Sequence, residues 1–320
     1  MKLFIAFCIL AAASAVDIRQ IRPEVRYVEP LREPEMFTIT EWQRVIENMQ
    51  PRIDPPVLDR TMKKPQPPFA GKIFINAKDE SRIVNGAVAV RGQFPWQAAV
   101  YIDSASFCGG SLISTTYILT AAHCAQGASY RVVLGVQNIT RPETGSVSLT
   151  TTSKIVHPSY NPTTLNNDIA LLRLPSAVTL STYISLSRLP RLSDASNTFS
   201  GTLATVSGWG KPTDASTSVS DVLRYVSVPV ITNTACAGVY GSTVVVASTL
   251  CCSGANGLSS CNGDSGGPLV YTESDGQRTQ IGVVSFVASA GCASGNPSGY
   301  VRVTSFLNWI STNTGIAIRP

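Results

Sequence analysis

Three short segments carry residue types that together could perform nucleophilic catalysis. In chain order they centre on His123, within Leu-Thr-Ala-Ala-His-Cys, Asp168, within Asn-Asp-Ile-Ala-Leu-Leu, and Ser265, within Cys-Asn-Gly-Asp-Ser-Gly-Gly-Pro. A serine hydroxyl is a poor nucleophile until a base removes its proton, and histidine is the usual base near neutral pH. A carboxylate can hold the imidazole in one tautomer and stabilise its protonated form. Glycines beside the serine permit a tight turn, so the backbone amides of Gly263 and Ser265 can converge on one oxyanion.

Each segment on its own also has a purely structural interpretation. His123 could be a satisfied core histidine, Asp168 a turn residue, and Ser265 a member of a glycine-rich turn, because serine favours turns. The presence of all three segments in one chain is what predicts a catalytic site.

The order histidine, aspartate, serine with these flanking residues resembles the chymotrypsin-fold serine peptidases over residues 83 to about 312. The resemblance implies an all-β fold of two packed six-stranded antiparallel β-barrels with a C-terminal helix and the active site in the cleft between them. It assigns His123 as general base, Asp168 as the residue that orients it, and Ser265 as nucleophile, with no cofactor.

The same resemblance implies activation by proteolysis. Arg82 precedes Ile-Val-Asn-Gly, which begins at Ile83. In the family, cleavage after the basic residue frees an apolar amino terminus whose ammonium pairs with the aspartate before the nucleophile, here Asp264. A buried ion pair of this kind forms only once the cationic terminus exists, and either partner left alone would be costly.

Substrate-binding residues follow from the same match. The residue six before the nucleophile, Ser259, falls at the floor of the specificity pocket, with Ser285, Val287 and Ser298 along its walls. Serine supplies no charge, so burial of a substrate cation would be strongly unfavourable. We expect cleavage after uncharged apolar or aromatic residues. The segment around Ser285 and Cys292 is similar to insect chymotrypsin-like and crab collagenase-like digestive enzymes.

The chain has eight cysteines, of which Cys8 lies in a short apolar run near the start that is typical of a cleaved secretory signal. Its removal would leave seven, so an oxidising compartment would leave one unpaired or intermolecular. Spacing alone does not fix their connectivity. The family pairing implies Cys108–Cys124, Cys261–Cys292, and a bridge from Cys236 to Cys251 or Cys252; insect and crab relatives favour Cys251.

Composition excludes several functional classes. Hydrophobic residues make up 44% of the chain and charged residues 14%, unlike a disordered or coiled-coil protein. A net charge of +5 is too small and dispersed to indicate nucleic-acid binding. With only two histidines, His123 and His157, the chain cannot form a metal site from several histidines. His157 has no catalytic motif around it and is expected to be structural.

The chain divides by composition into three parts. Residues 1–15 have a basic start, a short apolar run and an Ala-Ser-Ala end, which predicts a secretory signal peptide rather than a membrane anchor. Residues 16–82 hold 23 charged residues and no cysteine, as expected of a poorly structured activation pro-segment. Within it, Thr40 and Gln43 have capping-box spacing, and the helix they predict could be transient or docked. Residues 83–320 would form the peptidase domain.

Short β-rich runs broken by turn residues fill the predicted domain. Residues 130–134, 147–150 and 280–284 are typical strands. Ser305–Thr312 is the best late helix candidate, with Ser305 as a possible N-cap. Asn138-Ile-Thr fits an N-glycosylation sequon, whose use the sequence leaves open.

The sequence therefore predicts a secreted, extracellular, monomeric serine endopeptidase made as a zymogen, with a digestive role. Its partners would be protein or peptide substrates, an activating trypsin-like protease and protein protease inhibitors, with no nucleic acid and no membrane. Two alternatives stay open: a catalytically silent homologue that acts as a binding or regulatory protein, and a cascade protease with one protein substrate.

Overall fold

The computed structural model describes residues 86–320 and, ahead of them, the backbone of a two-residue strand, Arg52–Ile53. The predicted signal peptide, the helix predicted after Thr40 and the junction Arg82–Ile83 lie outside the described residues. The domain boundaries at 15 and 82 therefore stay predictions.

The first half of the described chain forms one antiparallel sheet. Its strands are β3 (Gln97–Ile102), β4 (Ser106–Ser114), β5 (Tyr117–Thr120), β6 (Tyr130–Leu134), β7 (Val147–Thr151), β8 (Lys154–Val156) and β9 (Ala170–Arg173). These seven strands follow the order β7-β6-β3-β4-β5-β9-β8 across the sheet. The alternation of buried and solvent-facing residues along β7 is the pattern of a strand with one face in a core.

The second half forms a closed barrel. Its strands are β10 (Leu203–Gly208), β11 (Arg224–Ile231), β12 (Thr249–Cys252), β13 (Pro268–Thr272), β14 (Arg278–Ala288) and β15 (Ser298–Arg302). They pair in the order β14-β13-β10-β11-β12-β15, and β15 pairs back to β14 to close the ring. Two short strands pair with strands of this ring: β2 (Ala87–Val88) with β11, and β1 (Arg52–Ile53) with β14.

Two α-helices are present in the described residues. Helix α1 (Asn233–Tyr240) begins after Thr232, whose hydroxyl accepts a 3.2 Å hydrogen bond from the Ala235 amide. Helix α2 (Leu307–Thr314) follows a 3₁₀ turn, and its N-cap is Phe306, with no side-chain cap. The prediction of Ser305 as N-cap was therefore wrong, because the 3₁₀ turn places the first α-helical residue later in the chain. Short 3₁₀ helices cover His123–Gln126, Leu192–Ser196, Ala255–Gly257 and Val303–Phe306.

Aromatic side chains join the two sheets in one packed interface. Phe107 of β4 and Trp209, just after β10, are both fully buried, and their rings meet edge to face with centroids 6.3 Å apart. Tyr101 packs edge to face on Phe107 from β3. Helix α2 also crosses to the first sheet, where Leu307 and Ile310 join its core. This packing fixes the two halves against each other.

The architecture confirms the predicted all-β class with a late helix and two antiparallel sheets. The carboxyl-terminal sheet closes as a six-stranded barrel, whereas the amino-terminal sheet forms a half-barrel whose end strands β7 and β8 do not pair. The predicted strands at 130–134, 147–150 and 280–284 are β6, β7 and the middle of β14. Among the described residues, no helix has the length and apolar character that crossing a membrane requires.

Candidate active site

Strand pairing brings His123 and Asp168 together. His123 lies just after β5 and Asp168 just before β9, and these strands pair so that Thr120 is opposite Ala170. Both residues therefore fall at the same end of the sheet. His123 Nδ1 lies 2.7 Å from Asp168 Oδ2, and the His123 amide donates to Oδ1 at 2.9 Å. Asp168 is fully buried, and its two contacts with His123 hold the carboxylate in place.

The second ring nitrogen of His123 has a different environment. Nε2 is buried and has no hydrogen-bond partner among the described residues. Because Nδ1 faces the Asp168 carboxylate, the proton of a neutral ring belongs on Nδ1, and Nε2 is left as the basic atom. The arrangement can accept a proton at Nε2 and stabilise the imidazolium that results.

Ser265 lies at a sharp turn made possible by its neighbours. The Gly267 amide donates to the Asp264 carbonyl at 2.8 Å, and Gly263 and Gly266 have φ values of +98° and +78°. A Cβ on Gly263 would lie 2.6 Å from a methyl carbon of Val219. Glycine is thus required there by both backbone conformation and space. Ser265 itself is 1% exposed.

Backbone contacts attach the Ser265 turn to the histidine side of the cleft. The Gly109 amide donates to the Ser265 carbonyl at 2.7 Å. Gly109 follows Cys108, which is bonded to Cys124, the residue next to His123. A hydrogen bond, a disulfide and two peptide bonds therefore connect Ser265 with His123 across the two sheets.

A second link runs from the same turn to Asp168. Gly266 donates to the Val284 carbonyl at 2.8 Å, and the Val284 amide donates to Gly267 at 2.9 Å. The next residue, Ser285, donates its hydroxyl to Asp168 Oδ2 at 2.6 Å. The sequence predicted Ser285 only as a substrate-binding residue, and the contact of its side chain with Asp168 is an addition to that prediction.

Asp264 is a buried carboxylate, and its donors among the described residues are backbone amides. Oδ1 accepts from the Gly210 amide at 2.7 Å and Oδ2 from the Cys261 amide at 2.8 Å. Burial raises the pKa of Asp264 to about 6, and these two hydrogen bonds oppose the rise only in part. Among the residues that the structure describes, none forms an ion pair with it. Its predicted partner, the amino group of Ile83, lies outside them.

The predicted pocket residues are buried and uncharged. Ser259 and Ser298 are at most 1% exposed, and the Ser298 hydroxyl lies 3.0 Å from the Tyr300 hydroxyl. Val287 packs against the Cys261–Cys292 disulfide. That disulfide joins the segment before the nucleophile to the segment after β14.

The three disulfides are Cys108–Cys124, Cys236–Cys251 and Cys261–Cys292. Of the two neighbouring cysteines, Cys251 forms the bridge and Cys252 is a buried free thiol. Burial raises the pKa of Cys252 far above its usual range. The sulfurs of Cys108 and Cys124 lie close to His123, but their disulfide removes them as thiolate ligands for a metal.

One residue that sequence reasoning missed is Asp214. Its carboxylate accepts from the amides of Cys292 at 2.7 Å and Ala293 at 3.0 Å. Asp214 therefore holds the loop that follows the pocket strand β14. It lies 78 residues before Cys292 in a turn-rich loop, and nothing in that local sequence indicates the contact.

Two residues outside the site have defined surroundings. The His157 ring packs edge to face on Phe306, with centroids 5.2 Å apart, and burial lowers its pKa. The structural role expected for His157 is consistent with this packing. In the sequon, the Asn138 side-chain oxygen accepts from both the amide and the hydroxyl of Thr140, at 2.9 and 2.7 Å.

Comparison with known proteins gives one consistent result. Residues 83–310 match the family model described as Trypsin. Brachyurin of Leptuca pugilator is 46% identical over 235 residues, which cover 73% of this chain and 99% of the relative. Collagenase of Hypoderma lineatum is 42% identical over 74% of this chain and 89% of its own length. A solved structure of HL collagenase superposes with a TM-score of 0.67 at 41% identity, covering 74% of this chain and all of its own.

Proposed function

The chain belongs to the trypsin family of serine proteases, and from this premise we propose that it is a secreted endopeptidase, made as a zymogen, that cleaves proteins after uncharged residues. The observation that carries the proposal is the contact of His123 Nδ1 with the buried Asp168 carboxylate, which leaves Nε2 as the basic atom of the ring.

Ser265 would attack the carbonyl carbon of the scissile peptide bond while His123 Nε2 takes the hydroxyl proton. Collapse of the tetrahedral intermediate breaks the C–N bond, and His123 returns the proton to the leaving amine. The acyl group then stays as an ester on Ser265. Water, deprotonated by the same nitrogen, attacks the ester and releases the acid, and the proton returns to Ser265. Asp168 stabilises the imidazolium in both halves of the reaction.

The oxyanion of each intermediate would be bound by the amides of Gly263 and Ser265. The positive φ of Gly263 and the tight turn after Asp264 support this role, because they let the backbone turn sharply on both sides of Ser265. Donors of this kind are each worth about 10²–10³ in kcat in serine proteases.

Zymogen activation would act through Asp264. A fully buried carboxylate without a cation is unfavourable, and its raised pKa expresses that cost. Cleavage between Arg82 and Ile83 would create an ammonium able to pair with it and fix the adjoining oxyanion loop. The activator would be a protease that cuts after a basic residue.

Specificity for uncharged residues is supported by the pocket. Ser259, at its floor, carries no charge to pair with a substrate lysine or arginine. The pro-segment lacks cysteines, unlike the cysteine-rich modules of insect cascade proteases, which favours digestion of bulk protein over cleavage of one partner. Extracellular protein inhibitors of serine proteases would be natural partners of such a cleft.

The test compares the secreted wild-type chain with Ser265→Ala and Arg82→Gln. After cleavage by an activating protease, the wild type should begin Ile-Val-Asn-Gly and hydrolyse neutral members of a peptide library. Ser265→Ala should lose on the order of 10⁶ in turnover, because nucleophile and base act as one unit. Uncut Arg82→Gln should stay inactive. Three results would each contradict the proposal: near-normal turnover by Ser265→Ala, full activity of uncut Arg82→Gln, or no peptidase activity in the cleaved wild type.

A further inference from the structure

The last two residues of β14 pair with a strand from the pro-segment. The neighbours of β14 inside the barrel stop earlier: β13 reaches Val283, and β15 reaches Phe286. Beyond them, β1 lies parallel to β14, with Arg52 opposite Val287 and Ile53 opposite Ala288. Apart from the Ala288 carbonyl, which accepts from the Gly291 amide at 3.1 Å, the backbone groups at this end of β14 lie beyond the ends of both barrel neighbours.

That end of β14 belongs to the active site. Ser285 bonds to Asp168, and two residues later Val287 packs on the disulfide beside the pocket. An exposed strand edge is a template for an extended peptide, and proteins use such edges to bind peptide ligands by main-chain hydrogen bonds. The pro-segment strand therefore occupies an edge that a substrate must approach.

The sequence around β1 suits a short bound strand. The segment reads Pro51-Arg-Ile-Asp-Pro55-Pro56, so prolines bracket it on both sides. Proline has no amide hydrogen, and it disfavours helix for the residue before it, so Asp54 is biased to extended backbone. Pairing is favoured at the two central residues and cannot spread far along the chain.

We propose that residues 52–53 act as an intramolecular inhibitor strand, which covers the substrate edge of β14 in the precursor and leaves after activation. The inference rests on the proposed protease function. A tethered segment is present at an effective concentration of the order of millimolar. Because residues 16–82 contain no cysteine, no disulfide would retain the segment once the chain is cut at Arg82–Ile83. A segment with a dissociation constant between micromolar and millimolar would thus be bound before cleavage and free after it.

The binding arm of the test needs no enzymatic activity. Hydrogen exchange of amides 285–288 is measured in the full-length Ser265→Ala precursor carrying either Ile53→Val or Ile53→Pro. Valine keeps the amide hydrogen and the β-branched side chain, whereas proline has no amide hydrogen to donate to the neighbouring strand. We expect exchange about tenfold or more slower with valine. Equal exchange in the two precursors would overturn the strand assignment.

The inhibition arm uses a synthetic peptide of residues 49–56 with the activated enzyme. The solved HL collagenase, whose whole chain this domain covers, indicates that the domain folds without the pro-segment. The peptide should raise KM for a short neutral substrate without changing kcat, with half-inhibition at or below about 1 mM, the effective concentration of a tether. The Ile53→Pro peptide should not inhibit. An active enzyme unaffected by the first peptide would overturn the inhibitor role alone, whereas protected β14 amides in a chain that never shows activity would overturn only the protease function.

Discussion

The hydroxyl of Ser285 donates to Asp168 Oδ2 at 2.6 Å, the same oxygen that lies 2.7 Å from His123 Nδ1. Ser285 comes from the carboxyl-terminal barrel, whereas Asp168 and His123 belong to the amino-terminal sheet. The carboxylate is therefore held from both halves of the molecule, and the orientation of the His123 ring depends on how the two halves pack.

Ser285→Ala should lower kcat by roughly tenfold, about 1.4 kcal/mol, near the lower end of values for a hydrogen bond to a charged group. KM should change little, because the backbone of β14 is retained. Steady-state kinetics of the activated enzyme provide the measurement. Ser187→Ala is the matched control, since it also removes a buried seryl hydrogen bond, to Gln280 at 2.8 Å, away from the site. Equal losses of kcat in the two variants would contradict a positioning role for Ser285.

The local parts of the site could be predicted from the sequence, whereas its long-range contacts could not. A recognisable motif surrounds each of His123, Asp168 and Ser265, and the glycines around Ser265 predict a tight turn. The bond from Ser285 to Asp168 spans 117 residues, and that from Cys292 to Asp214 spans 78. Such contacts follow from strand register and sheet packing, which no local pattern encodes.

The pairing of β1 belongs to the same class of unpredictable contacts. Its residues lie in a charged, proline-rich segment, and composition there predicts little structure. What creates the pairing is the free end of β14, a feature of the assembled barrel. The prediction of Ser305 as the N-cap of α2 was wrong for a different reason. A 3₁₀ turn and an α-helix have similar sequence preferences, so the sequence does not show the boundary between them.

The thiol of Cys252 should not react with alkylating reagents in the native protein. Cys252 is fully buried, and burial raises the pKa of its thiol, so thiolate is scarce and reagent has no access. Iodoacetamide without reductant should therefore label no cysteine between residues 86 and 320 in the folded protein and one there, Cys252, in guanidinium. Peptide mapping by mass spectrometry provides the measurement. Labelling of Cys251 instead would show that the Cys236 bridge uses the other neighbour.

Asp264 should give the uncut precursor a distinctive pH dependence. Its pKa in the folded chain is about 6, above the ordinary value of 3.8, so between these values the folded state binds more protons than the unfolded state. The free energy of unfolding should therefore fall as pH rises from about 4 to about 6, by up to about 3 kcal/mol from this group, and then level off. Denaturant titrations at several pH values measure the slope.

Two comparisons isolate this contribution. Asp264→Asn should flatten the slope across that window, even if it lowers stability at every pH because its amide faces the donor amides of Gly210 and Cys261. Cleavage at Arg82–Ile83 should also abolish the decline, because a paired ammonium favours the ionised carboxylate. A slope that survives both changes would assign the titration to another group.

The last prediction concerns the width of the specificity pocket. Val287 is 2% exposed and packs on the Cys261–Cys292 disulfide, so its isopropyl group takes up space at the wall that resemblance assigns to the pocket. Val287→Gly should improve kcat/KM for substrates with Phe or Tyr before the scissile bond, relative to Ala, by roughly 1–3 kcal/mol, the usual scale for pocket-volume discrimination. Paired amide substrates that differ only at that residue give the ratio. Val228→Gly, which empties a buried site in the core of the same barrel, is the matched control. It should lower stability by a comparable mechanism and leave the Phe-to-Ala ratio unchanged.

An unchanged ratio in Val287→Gly would show that Val287 does not form the pocket wall. A preference of the wild type for Arg over Leu before the scissile bond would refute an uncharged pocket floor at Ser259.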